Sequence, residues 1–238
     1  MGIEIEAKFR VDDDRVFHWL LSLFHIGHFQ LFPESDIERQ RNTYFDTHIA
    51  RLQSLSYSLR IREVGKRRTA TLKRSRSKQG SLRIRDEWEA PIGADDDPRR
   101  WPAGELRDRV LLLIGDASLE PLFVVETRRH YVHVVRGGQP IADICLDSGS
   151  IKVESLEQPF RELEVELLDP AERVAFDSLV TLLCLSFPLI PEERGKKSRG
   201  LALRAAATAR ALALGGDHSL PRAGRHAHAG PSDTVEPA

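Results

Sequence analysis

Residues 3–9 read IEIEAKF and decide the fold, because charged and apolar side chains alternate through the whole stretch. Successive side chains of a β-strand point to opposite faces, so Glu4, Glu6 and Lys8 share one face. If that face lies in water, the stretch is an ordinary half-buried strand. If it lies inside the protein, its charges need partners, because buried unpaired charge is costly.

The composition of the chain restricts the classes of function. The 35 basic and 36 acidic residues nearly cancel, so no overall positive field indicates a nucleic-acid partner. Cys145 and Cys184 lie far apart without metal-ligand spacing, which favours a reducing compartment. The acidic, alternating N-terminus is unlike a signal peptide, and the longest apolar run, LVTLLCLSFPLI, is too short to cross a membrane. We therefore expect a cytoplasmic protein without a membrane partner.

The periodicity of apolar residues divides the chain into about eight strands and several helices. Helical spacing occurs in RVFHWLLSLF, GELRDRVLLLI, AERVAFDSLVTLLCLSF and GLALRAAATARALAL. From residue 215 onward Gly, Pro, His and Ser dominate without periodicity. We predict one domain over residues 1–214 and a disordered tail over residues 215–238.

The one-sided charge of the first strand recurs along the chain. The residues that share such faces are Arg60 and Arg62; Thr69, Thr71 and Lys73; Arg83, Arg85, Glu87 and Glu89; Asp143 and Asp147; and Glu162, Glu164 and Glu166. A polar face in water would explain any one strand. However, the signs are grouped by strand, and the amphipathic helices need apolar strand faces to cover. The pattern therefore predicts an α+β fold, an eight-stranded antiparallel β-barrel with a charged interior and helices outside.

A barrel of about eight strands has room for a small ligand. Interior carboxylates and basic groups can coexist if a divalent cation and a polyanion lie between them. Mg²⁺ and Mn²⁺ prefer carboxylate oxygen and water, whereas Arg and Lys bind phosphate. The residue types therefore favour a metal–triphosphate complex inside the barrel.

An ordered set of short motifs resembles the CYTH superfamily, also called triphosphate tunnel metalloenzymes. The motifs are E-x-E-x-K at 4–8, NTYFDT at 42–47, SLRIR at 58–62, TLK at 71–73, EWE at 87–89, T-R-x-x-Y at 127–131, LDSG at 146–149, ELEVEL at 162–167 and GKKSRG at 195–200. The likeness covers about residues 1–205 and looks closest to the bacterial inorganic triphosphatase branch. It implies a charged tunnel, Mg²⁺ or Mn²⁺ as cofactor, and a small-molecule triphosphate as substrate.

The resemblance also implies roles for individual residues. The implied metal ligands are Glu4, Glu6, Glu164 and Glu166, and the implied catalytic residues are Glu4, Glu6, Lys8 and Lys73. The implied phosphate ligands are Lys8, Arg60, Arg62, Lys73, Arg85, Arg128, Lys196 and Arg199, with Lys197 as an alternative to Lys196. Glu87, Glu89 and Asp147 are candidates for a second metal or for supporting the basic residues.

Of three candidate functions we expect the first, catalysed by a metal-dependent triphosphatase, and keep the other two as alternatives. The first is hydrolysis of a triphosphate, with inorganic tripolyphosphate giving pyrophosphate and phosphate. The second is the chemistry of related enzymes, a class IV adenylyl cyclase or a thiamine triphosphatase. The third is a non-catalytic module that binds triphosphate or polyphosphate. The choice between Mg²⁺ and Mn²⁺, the number of metal ions and the oligomeric state are also open.

Overall fold

Eleven strands form one antiparallel sheet in the computed structural model, which describes residues 2–215. The strands are β1 (Gly2–Arg10), β2 (His25–Ile26), β3 (Phe29–Pro33), β4 (Glu38–Asp46), β5 (Tyr57–Val64), β6 (Arg67–Gln79), β7 (Leu82–Pro91), β8 (Glu120–Arg136), β9 (Gln139–Val153), β10 (Leu156–Leu167) and β11 (Ile190–Pro191). Eight of them close into a ring in the order β8-β4-β5-β6-β7-β1-β10-β9, because β9 pairs back onto β8. The predicted eight-stranded antiparallel barrel is confirmed. Strands β2 and β3 extend the sheet beside β8, and β11 pairs with β1.

Five α-helices accompany the barrel. They are α1 (Arg15–Ser22), α2 (Arg51–Ser54), α3 (Glu105–Ile114), α4 (Arg173–Ser186) and α5 (Lys196–Gly215), with 3-10 turns at Pro98–Arg100 and Pro170–Glu172. Within residues 2–215, none of the helices has the length and apolar character needed to span a membrane. Of the tail predicted over residues 215–238, all but the first residue lies outside the described residues.

Four of the helices lie on the outer surface of the barrel and cover its apolar face. Helices α1 and α4 pack on one side, where Phe9 and Val165 are buried among their apolar residues. Helices α2 and α3 pack on the other side, over Leu59 and Leu72. The apolar residues of the alternating strands therefore face outward, and their charged neighbours face inward, as the pattern predicts.

Helix α5 packs differently, across the inner face at one end of the barrel. Tyr44, Phe123, Val125 and Phe160 form an apolar cluster there with Ala207 of α5. These strand residues share their face with charged tunnel residues, since they lie an even number of positions from them along each strand. The interior is thus charged along most of its length and apolar where α5 covers it.

Gly200 lies in close contact with the barrel where α5 begins. A Cβ at this position would lie 2.3–2.5 Å from three ring carbons of Phe123, which is buried and stacked on Tyr44. Helix propensity alone favours alanine over glycine by roughly 0.5–1 kcal/mol. We expect the opposite sign: Gly200→Ala lowers the free energy of unfolding by about 1–3 kcal/mol, because the ring cannot move freely.

Urea denaturation of the full chain measures this effect. Leu212→Ala is the control, because Leu212 lies on the same helix with 73% of its surface exposed. The control should change stability by less than about 0.5 kcal/mol. A Gly200→Ala protein as stable as the wild type would contradict the close packing of α5.

Candidate active site in the tunnel

The charged interior of the barrel encloses a cavity of about 360 Å³. Most of the residues predicted for the site line it together, although they come from six strands and the start of α5. The predicted residues on its wall are Glu4, Glu6, Lys8, Arg60, Arg62, Lys73, Arg85, Asp147, Glu164, Glu166 and Lys196. The question posed by IEIEAKF is thereby answered, since its charged face looks into the tunnel.

Arg128, predicted as a phosphate ligand, lies on the outer face of the barrel instead. Its side chain is exposed and it stands opposite Arg39 of β4. The adjacent Arg129 points inward, where Nε lies 2.7 Å from Asp147 Oδ1 and Nη2 lies 2.7 Å from Glu164 Oε2. Alternation on β8 sets this orientation, because Thr127 faces the tunnel and residues two apart share a face. The assignment of Arg128 to the tunnel is therefore wrong.

Two separate groups of carboxylates occur inside the tunnel. The first, here called the outer triad, is Glu4, Glu6 and Glu166; the second, the inner triad, is Asp147, Glu162 and Glu164. Within each triad one oxygen of every residue lies within 4.8 Å of the others. Glu164, predicted to join the other three glutamates, belongs to the inner triad because β1 pairs Glu6 with Glu166 and Lys8 with Glu164.

Cations of the chain only partly satisfy the outer triad. Lys73 Nζ lies 2.5 Å from Glu4 Oε1, and Arg85 lies 2.9 Å from Glu4 and 2.5 Å from Glu6. Burial raises the pKa of Glu4, but the attraction of Lys73 and Arg85 outweighs it and brings that pKa to about 2. In Glu166 burial prevails and raises the pKa, with repulsion from Glu164 and Glu6 adding to it against the attraction of Arg129.

The outer triad fits a hard divalent cation. Glu4 Oε2 and Glu6 Oε1 are buried, and Arg85 is their ion-pair partner. Three carboxylates that bring one oxygen each within 4.8 Å of the others are the ligand type that Mg²⁺ and Mn²⁺ prefer. Glu4, Glu6 and Glu166 are the residues that would hold the ion.

The inner triad, in contrast, is fully paired by basic side chains. Asp147 and Glu162 have no exposed side-chain surface, and Glu164 has 5%. Their partners are Lys8, Arg129, Lys196 and Arg199. Lys196 and Arg199, predicted as phosphate ligands, therefore hold carboxylates here. Glu162 received no role from the sequence, although its place on the charged face of ELEVEL was the available signal.

Strand β5 presents basic groups without carboxylate partners to the same cavity. Within residues 2–215, neither Arg60 nor Arg62 has a carboxylate within 4 Å, and Arg60 Nε is buried without a hydrogen bond. Arg62 Nε donates to Asn42 Oδ1 at 3.1 Å. Burial lowers the pKa of Arg62, and the nearby Arg60 and Arg129 lower it further. These two guanidinium groups are thus available to an anion.

Glu87 and Glu89, the other candidates for a second metal or for support, belong to neither triad. Glu87 Oε1 lies 3.1 Å from Lys73 Nζ. Glu89 is exposed and accepts a hydrogen bond from Thr71 Oγ1 at 3.0 Å. Their contacts agree with a supporting position beside Lys73 and Thr71.

Comparison with known proteins places the chain in a family. Residues 2–200 match the sequence model of the CYTH domain. An inorganic triphosphatase of Haemophilus influenzae is 28% identical over 142 residues, which are 59% of this chain and 39% of that protein. The aligned part is therefore well under half of that relative.

Solved structures give the same result for the fold. A proposed adenylate cyclase from Bacillus halodurans is 26% identical, with a TM-score of 0.54 over 83% of this chain and 98% of that one. A proposed adenylyl cyclase from Hippeastrum, for which a dominant triphosphatase activity is described, is 21% identical, with a TM-score of 0.60 over 86% and 96%. With the barrel and its charged interior, these matches show that the chain belongs to the CYTH domain family.

Proposed function

We propose that the chain is a metal-dependent triphosphatase that hydrolyses inorganic tripolyphosphate to pyrophosphate and phosphate. The observation that carries this proposal is that guanidinium groups without carboxylate partners and a converging set of carboxylates line one cavity. Arg60 and Arg62 lack carboxylate partners, and Glu4, Glu6 and Glu166 bring oxygens within 4.8 Å of one another. A polyphosphate and a divalent cation bound together would satisfy both sets. The likeness to an inorganic triphosphatase supports the same reaction.

The lining of the cavity supports an inorganic substrate over a nucleotide. Tyr44 is the aromatic residue among the side chains that line it. Its ring already stacks on Phe123, with centroids 4.7 Å apart, so that face is not available to a base. The cavity of about 360 Å³ is otherwise bounded mainly by charged and hydroxyl groups, which match phosphate oxygens.

Phosphoryl transfer to water depends on neutralising the transferred and leaving phosphates and on aligning the water. Arg60 and Arg62 can each bind phosphate oxygens through two N–H groups. Lys73, held between Glu4 and Glu87, places a positive charge beside the same phosphates. A divalent cation bound at the outer triad would supply Lewis-acid stabilisation of the phosphate oxygens. The barrel wall keeps these groups in fixed positions before the substrate enters.

A product analysis tests the proposal. The full chain is incubated with tripolyphosphate, thiamine triphosphate or ATP, each with Mg²⁺ or Mn²⁺, and the products are identified. We expect phosphate and pyrophosphate from tripolyphosphate at the highest kcat/KM. Cyclic AMP from ATP would identify a cyclase, and a preference for thiamine triphosphate would identify that substrate. Binding without any product would identify a non-catalytic module.

Arg62 should add little stability to the empty tunnel and contribute affinity when substrate is present. Arg62→Met removes a half-buried charge that Arg60 and Arg129 repel, but it also removes the hydrogen bond to Asn42, so we expect a melting temperature close to that of the wild type. The same change removes a bidentate phosphate contact, so KM for tripolyphosphate should rise by about 10-fold or more. Thermal denaturation and steady-state kinetics on the same preparation measure both effects.

Arg39→Met is the matched control for this pair of measurements. Arg39 is an exposed arginine on the outer face of neighbouring β4. It should leave KM within about twofold of the wild type, since surface changes of this kind have small effects. An unchanged KM in Arg62→Met would remove Arg62 from the substrate site.

A further inference from the structure

The inner triad already holds a cation that belongs to the chain, the ammonium group of Lys196. Its Nζ lies 2.8 Å from Asp147 Oδ2, 2.7 Å from Glu162 Oε2 and 2.7 Å from Glu164 Oε1. A lysine ammonium has three N–H donors and no acceptor; Lys196 donates to Asp147 and Glu164 and forms an ion pair with Glu162. The group occupies the position that a metal ion shared by these carboxylates would take.

The surroundings stabilise this arrangement. The side chain of Lys196 is 10% exposed, and burial alone would lower its pKa, but Asp147, Glu162 and Glu164 raise that pKa well above the usual value. Arg129 adds ion pairs to Asp147 and Glu164. The ammonium group therefore stays charged, and the carboxylates stay paired with it.

The two triads differ in a second, independent way. Within residues 2–215, no single basic side chain lies within 4 Å of all three outer carboxylates: Lys73 pairs with Glu4, Arg85 with Glu4 and Glu6, and Arg129 with Glu166. The outer triad thus lacks a shared cation of the chain, whereas Lys196 is shared by all three inner carboxylates. Two carboxylate triads of similar compactness consequently have different capacities for an added cation.

We propose that Lys196 replaces a second divalent cation, so that the tunnel binds one metal ion, at the outer triad. The inner triad then has a positioning role, because its ion pairs with Lys196 hold the first turn of α5 against β9 and β10. The inference rests on the proposed function in one respect, the binding of a divalent cation at the outer triad. It also departs from the phosphate-binding role that the family resemblance implies for Lys196.

The number of bound Mn²⁺ ions tests the proposal, measured on the full chain by electron paramagnetic resonance without substrate. We expect one equivalent for the wild type and two for Lys196→Ala, because removal of the ammonium group opens the position that the three carboxylates share. Adding Glu162→Gln to Lys196→Ala should return the number to one. Lys197→Ala is the matched control and should keep one equivalent, since Lys197 Nζ donates to the Tyr57 carbonyl oxygen rather than to a carboxylate.

A Lys196→Ala protein with the same number of Mn²⁺ ions as the wild type would overturn the proposal. So would a wild type that binds two ions and loses one on Glu162→Gln. If Lys196→Ala folds poorly without metal, the melting temperature is measured with and without Mn²⁺ instead. The proposal then requires Mn²⁺ to raise the melting temperature of Lys196→Ala by more than it raises that of the wild type. Failure of the proposed function would appear separately, as a wild type that releases no phosphate while the variant still gains one equivalent.

Discussion

Glu6→Gln is expected to lower kcat/KM for tripolyphosphate by about 1000-fold while the barrel stays folded. Glu6 is 2% exposed and contributes one of the three converging carboxylates of the outer triad. Glutamine keeps the shape of the side chain but removes its negative charge, so a divalent cation loses one of three carboxylates. Lewis-acid stabilisation contributes several kcal/mol to the transition state, and about 4 kcal/mol corresponds to a 1000-fold change in rate.

Phosphate release in Mg²⁺ and in Mn²⁺ measures this effect, with the melting temperature as the check on folding. Glu126→Gln is the control, because it removes the same charge from the outer face of β8. Glu126 pairs there with Arg41 and Lys152. The control should keep its rate within about twofold, as expected for a surface position. A folded Glu6→Gln protein within tenfold of the wild-type rate would exclude Glu6 from the site.

The second large effect concerns stability and compares two adjacent arginines. Arg129→Met leaves Asp147 and Glu164 buried with one fewer cation, so we expect the free energy of unfolding to fall by about 3–5 kcal/mol. Arg128→Met removes an exposed arginine one residue away and should change stability by less than about 0.5 kcal/mol. The two variants have the same composition, so the difference between them reflects orientation alone.

Urea denaturation at neutral pH measures both variants. Arg128→Met should also keep its KM for tripolyphosphate, because its side chain lies outside the tunnel. Equal losses of stability in the two variants, or a larger loss in Arg128→Met, would contradict the inward position of Arg129.

The sequence predicts the barrel and its charged interior where alternation is strict. In IEIEAKF and ELEVEL every second residue is charged, so the faces of Glu4, Glu6, Glu164 and Glu166 can be assigned without a structure. The amphipathic helices then decide which face is covered, because their apolar stripes need an apolar partner. Local patterns of this kind indicate which face of the strand each side chain occupies.

Strand β8 lacks such a pattern, and the prediction fails there. In VVETRRHYVHVV two arginines are adjacent, and either one can face the tunnel until the pairing of β8 with β4 and β9 is known. The division of the glutamates into two triads has the same cause. It follows from the register of β1 against β10, which pairs Glu6 with Glu166, and register is a long-range property.

The local sequence pattern also does not predict where α5 packs. Its alanine-rich sequence indicates a helix, but its small residues allow close approach to any surface. The ion pairs of Lys196 and Arg199, the fit of Gly200 on Phe123 and the packing of Ala207 place it on the inner face. Local patterns do not predict strands β2 and β3 for a related reason. Both strands are short, and their conformation depends on pairing at the edge of the sheet beside β8.

Helix α5 also bears on where the independently folding unit ends. The match to the CYTH domain stops at residue 200, whereas apolar packing of α5 against Phe123 and Phe160 extends to Ala207. A protein shortened to the matched range would keep the ammonium group of Lys196 but uncover two aromatic rings at the barrel end. Solvent-exposed aromatic surface of this kind promotes self-association. The boundary useful for expression therefore lies in the later turns of the helix, beyond the limit that sequence similarity gives.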